Sequence, residues 1–166
     1  TQTGGGSLIV LGEPNLSGDS MNALSDLYYP NHKQMPAERV KVVHDFYHFD
    51  QSLYGLTHGK DISRRKPDFL PQEDVYSYEF ENARKVRTFT LFRPGANKKW
   101  TEKNVAVPAA ENVVLAFAGK AGRAWYCTPE NDAYRYPVPV PFIQEENVVR
   151  VQVPALKVFG AVILAP

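Results

Sequence analysis

Three hydrophobic patterns follow one another along the chain, and each predicts a different element. Residues 7–11, SLIVL, are continuously apolar. Such a run suits a short strand buried on both faces, as in a parallel sheet or barrel. From Val40 the apolar residues fall at Val40, Val43, Tyr47 and Tyr54, with Phe46, Phe49 and Leu53 beside them. That spacing of three and four makes one wide stripe on a helix, placed at residues 37–54. Pro36 suits the first turn, where its missing N–H is not needed, and Glu38 there meets the helix dipole favourably. Gly55 and Gly59 supply stop signals. From Tyr76 on the period changes to two, with strands expected at 86–92, 105–107, 113–118, 123–128, 148–153 and 159–164. Pro94-Gly95, residues 119–122, residues 129–132 and Pro154 supply the turns. Short alternating strands with frequent turns predict an antiparallel β-sandwich. Its closing run, VRVQVPALKVFGAVIL, gives two strands around a Pro-bearing corner, the last so apolar that it should be central or inward-facing. The stretch between the helix and the sandwich is charged, includes Arg64, Arg65, Lys66 and Pro67, and reads as a surface linker.

Composition narrows the function classes. The net charge of +1 gives no electrostatic case for nucleic acid or an anionic membrane. The lone Cys127 excludes an internal disulfide and a Cys-based zinc site. No apolar run is long enough to span a membrane, and no signal peptide is visible. The chain opens on Thr1 and enters the 7–11 run almost at once, with no parallel partner for that strand in the sequence. One reading is the C-terminal piece of a longer protein. The other is a tag remnant before the first strand of a β-protein.

Candidate chemistry is sparse. Glu13 directly follows the apolar run and Gly12. In α/β barrels, side chains at the C-terminal ends of strands form the active site. A loop glutamate that caps a turn or pairs with a lysine fits the same position. Tyr28, Tyr29, Asn31 and His32 combine aromatics with polar groups, as sugar-contacting loops and ordinary packed loops both do. Glu13 and Asp19 are the carboxylates near this rim, and nothing in their spacing makes them face each other across a glycosidic bond. His44 and His48 lie four apart on the helix, but the Glu of an HExxH zinc motif is absent, so a structural or surface role is expected and no metal is assigned. Cys127 follows Trp125 and Tyr126 in a strand, where a cysteine is usually an inert core residue. Trp100, Trp125, Tyr126, Tyr134 and Tyr136 either form an exposed platform for sugar rings or pack the core.

Leu11-Gly12-Glu13, then Tyr28-Tyr29-Pro30-Asn31, then Phe46-Tyr47 with Phe49 and Tyr54, resemble the end of the catalytic barrel in glycoside hydrolase family 66, the dextranases and cycloisomaltooligosaccharide glucanotransferases. The closing strands at 148–164 resemble that family's C-terminal sandwich. Two departures stand out. Gly55-Leu56-Thr57-His58 replaces the family's Leu-Arg-Asp run, and the loop at 14–26 differs. The resemblance implies a mainly β fold with one long helix: residues 1–56 as the last strand and helix of a (β/α)8 barrel, 57–75 as linker, and 76–166 as an antiparallel β-sandwich. It implies retaining chemistry on α-1,6-glucan, with the catalytic Asp/Glu pair on earlier strands outside this chain. No catalytic residue, metal or cofactor is therefore assigned. Glu13 is the expected substrate contact, with Asn31 and His32 behind it. The implied partners are an oligo- or polysaccharide and an N-terminal barrel segment of the same protein, in an extracellular or periplasmic setting. Alone, the chain should release no sugar from dextran. The alternative is a non-catalytic carbohydrate-binding or structural β-sandwich.

Overall fold

The computed structural model describes residues 37–65, 74–95 and 106–166. Among the described residues one helix, α1 (Ala37–Thr57), precedes nine strands: β1 (Ile62–Arg65), β2 (Tyr76–Asn82), β3 (Arg87–Phe92), β4 (Ala110–Ala118), β5 (Arg123–Cys127), β6 (Val138–Pro139), β7 (Phe142–Glu145), β8 (Val148–Leu156) and β9 (Phe159–Ala165). Six strands form one sheet in the order β1-β2-β3-β9-β5-β6, and three form a second in the order β4-β8-β7. Every pairing among the described residues is antiparallel. The expected sandwich is thus present, mostly β with one helix.

Alternation along the strands sorts the side chains. Phe89, Leu91, Val162, Leu164, Ala124 and Tyr126 point from the larger sheet into a core shared with Leu115, Phe117, Val149, Val151 and Val153 of the smaller one. The Phe89 and Phe117 rings meet across it at 4.3 Å. β9 is apolar on both faces because both are covered, and it lies between β3 and β5 as its sequence predicts. Gly160 is needed there, since a Cβ would stand 3.0 Å from the Tyr126 ring. The Tyr126 hydroxyl donates to the Ala155 carbonyl at 2.6 Å and so fixes that ring.

Several boundaries differ from the sequence reading. The expected strand at 105–107 does not appear at its described residues, 106 and 107. β8 runs through Pro154 to Leu156 rather than turning there. β7 pairs only with residues 148–151 of β8, so the missing N–H of Pro154 costs no bond on that side. The expected linker contains β1, whose Arg64 pairs with Phe80 of β2 in an antiparallel ladder.

The helix belongs to this sandwich. It continues past Gly55 and stops at Gly59, whose φ of +133° no other residue adopts easily. Its buried line is Asp45, Phe49, Leu53 and Thr57, four residues apart at each step. Val40, Tyr47 and Tyr54, expected on the inward stripe, are exposed instead. The reason is the surface that α1 meets. Phe49 and Leu53 seat against Cys127, Ala161 and Ile163 on the outer face of the larger sheet, flanked by Leu56, Val86 and Trp125. A parallel barrel unit is not formed by these elements. The strand expected at 7–11 lies outside the described residues.

Candidate functional site

Glu13, Asn31 and His32, the expected substrate contacts, lie outside the described residues, as do Asp19 and Trp100. The other expected aromatics do not share a surface. Tyr126 is fully buried, with its phenol pushed up by burial. Tyr134 packs beside it at 6.0 Å, on the edge of the inner core. Trp125 faces the opposite way and supports α1. Only Tyr136 of that group is exposed. Cys127 is buried under the helix, and burial pushes its thiol up to about 12. A thiol held in that form is a poor nucleophile and a poor metal ligand, so Cys127 is the inert core residue expected.

A different group of aromatics is brought together on the outer face of the larger sheet. β2 alternates Tyr76, Tyr78 and Phe80 onto that face, where Tyr76 and Tyr78 are exposed. Arg64 reaches across from β1, with its guanidinium 4.4 Å from the Tyr78 ring centre. Tyr76 sits 6.4 Å from Phe92 on the neighbouring strand, and Phe92 sits 5.3 Å from Phe159. Phe159 takes an edge-on contact from Phe46 of α1 at 5.0 Å. An aromatic row therefore runs from the helix out to the open end of β2. Its strand-borne members follow from register, because Tyr76 pairs with Phe92 and Phe92 with Phe159.

Ionic contacts also fasten the N-terminal half of the helix. Asp45 is buried, accepts a hydrogen bond from Lys41 and forms an ion pair with Arg135 at 2.9 Å. Arg135 follows the short 3-10 turn Asp132–Tyr134, so this pair ties α1 to the connection after β5. The Lys41 hydrogen bond first, then those with His44 and the charge of Arg135, hold the Asp45 carboxyl below its ordinary value. One residue before it, His44 turns its ring to His48, with 3.0 Å between their Nε2 atoms. Among the described residues no group of three or more His, Cys, Asp or Glu is placed to hold a metal ion. None of the described helices is long and apolar enough to cross a membrane.

The pair Tyr76 and Tyr78 escaped the sequence reading although a signal was present. Tyr-Ser-Tyr-Glu-Phe alternates cleanly, but it follows a charged stretch assigned to a linker.

No family model matches the chain, and no curated protein matches it. The resemblance to glycoside hydrolase family 66 thus finds no counterpart there. Among solved structures, alpha-L-fucosidase isoenzyme 2 from Paenibacillus thiaminolyticus is a distant neighbour. It is similar over 63% of this chain, with 12% identity and a TM-score of 0.41. The chain spans 15% of that protein's length.

Proposed function

We propose that this chain is a non-catalytic, carbohydrate-contacting β-sandwich module, with Tyr76, Tyr78 and Arg64 as its glycan-facing surface. One observation carries the reading: Tyr76 and Tyr78 are 55% and 37% exposed on one side of the same strand. Aromatic faces stack on the C–H faces of sugar rings, and residues two apart on a strand stand about 7 Å apart. One oligosaccharide can lie across both. Arg64 adds N–H donors beside Tyr78 for sugar hydroxyls.

The finer form of this reading places the module in an enzyme acting on α-1,6-glucan by a retaining mechanism. The Asp/Glu pair then sits on an N-terminal barrel segment of the same protein, with Glu13, Asn31 and His32 as further substrate contacts. The sequence resemblance at residues 11–54 is the only support for that form. An extracellular or periplasmic setting goes with such a polymeric substrate. Dextran is therefore the first ligand to try.

The test is affinity electrophoresis of the chain in gels carrying dextran or another polysaccharide, beside Tyr76→Ala and Tyr78→Ala. Retardation by at least one glycan is expected, with each substitution weakening it about tenfold, the loss of one stacking contact near 1.4 kcal/mol. Retardation of both variants equal to that of the wild type would remove this surface from the reading. Failure of every polysaccharide to retard the wild-type chain leaves a structural domain. Reducing ends released from dextran by this chain alone would overturn its non-catalytic assignment.

A further inference from the structure

We infer that His44 and His48 form a two-imidazole chelate for a divalent transition-metal ion on the solvent side of α1. The two rings lie one helical turn apart, with centroids 4.2 Å from each other and planes tilted by 60°. Their Nε2 atoms are 3.0 Å apart. At that distance a hydrogen bond joins the two rings, the Nε2–H of one donating to the Nε2 lone pair of the other. A metal ion can take the place of that proton.

The surroundings favour it. The other nitrogen of His44, Nδ1, is 3.4 Å from Asp45 Oδ1. A carboxylate there favours the Nδ1–H tautomer and leaves the Nε2 lone pair turned towards His48. Carboxylates orient metal-binding imidazoles in the same way. Asp45 is itself fixed by Lys41 and Arg135, so it is a rigid orienting group. Lys41 and Arg135 bring positive charge nearby, which the carboxylates of Asp45 and Asp132 offset.

The spacing also selects among metals. With metal–nitrogen bonds of about 2.05 Å, a separation of 3.0 Å gives an N–metal–N angle of about 94°. A tetrahedral site needs the nitrogens about 3.4 Å apart. The observed value fits two adjacent positions of a tetragonal ion, the geometry of Cu2+ and Ni2+. Of the first-row divalent ions, Cu2+ binds nitrogen donors most tightly. His44 is 59% exposed, so the remaining positions are open to water or to a donor on a second molecule.

The probe is Cu2+ itself, titrated into the metal-free chain against glycine as a weak competitor and followed by electron paramagnetic resonance. A single tight ion with two equatorial imidazole nitrogens is expected. His44→Ala and His48→Ala should each weaken it by at least about tenfold, as a chelate falls to one ligand, and each should reduce the nitrogen coupling to one ring. Both side chains are exposed, so circular dichroism should show both variants folded. His58→Ala, at the end of the helix, should bind like the wild type. Wild-type affinity in a variant lacking both His44 and His48 would overturn the inference, as would a wild-type spectrum without imidazole coupling. Tighter binding of Zn2+ than of Cu2+ would overturn the tetragonal assignment.

Discussion

The six-stranded sheet has two faces, and they are buried by different means. The inner face carries Phe89, Leu91, Tyr126, Val162 and Leu164 and meets a second sheet along its length. The outer face carries Thr88, Thr90, Cys127 and Ala161 under a single helix. Only Phe49 and Leu53 of α1 reach full burial there as apolar groups. Beyond the helix, among the described residues, Tyr76 and Tyr78 of the outer face stay exposed. Burial is what turns apolar area into stability. The inner face therefore holds the fold, and the outer face leaves aromatic surface exposed.

The largest expected effect tests that division directly. Phe89→Ala removes a fully buried ring in contact with Phe117 and should cost about 3–5 kcal/mol, a large share of a domain's total stability. Urea unfolding measures it. A loss under about 1 kcal/mol would mean that the two-sheet core is not the main source of stability. Leu53→Ala on the helix should cost less, about 2 kcal/mol, because water can partly fill the site under a single covering element. Hydrogen exchange sharpens the comparison. Helix amides should lose protection in Leu53→Ala while β3 and β9 amides keep theirs. Equal loss in both would join the helix and the sheets into one cooperative unit.

Much of this contrast was legible in the sequence, and the missing part has a physical reason. The helix was marked by its apolar spacing and by Glu38, and only its end was misplaced. Gly55 looks like a stop, yet it does not take the positive φ of a helix end, as Gly59 does, and the helix passes through it. β3, β5, β8 and β9 were marked by apolar or alternating runs. The helix face was harder, because three apolar columns share α1 and the sheet selects one of them. Ala161 and Cys127 are small, so Phe49 and Leu53 fit over them. The expected aromatic platform contained its own contradiction. Trp125 and Tyr126 are consecutive in a strand and must point to opposite faces. Tyr76 and Tyr78, two apart, can share one. The charged β1 hid the strand that makes this pair visible. Its residues Ile62–Arg65 are almost all exposed, so no hydrophobic signal marks them.

The smallest effects concern pH, and they compare two carboxylates on one helix. Asp45 is held below its ordinary value by Lys41 first and also by His44 and Arg135. Asp50 is raised, because burial disfavours its charge and the proximity of His58 only partly compensates. The signs of their contributions are opposite. A carboxyl whose pKa is lowered by folding adds stability above its unfolded value, near 3.9, and loses it as pH falls through the folded value. A carboxyl whose pKa is raised is favoured in its protonated form and subtracts stability as pH rises through the same region. In metal-free buffer, Asp45→Asn should therefore cost roughly 1–2 kcal/mol near neutral pH, the loss of charged hydrogen bonds. That gap to the wild type should close in acid. Asp50→Asn should match or exceed wild-type stability near neutral pH and lose any advantage in acid. Urea midpoints between about pH 3 and pH 7 decide the matter. If Asp45→Asn kept the same deficit in acid, the Arg135 contact would be acting through packing rather than charge. The helix would then be held on the outer face by shape alone.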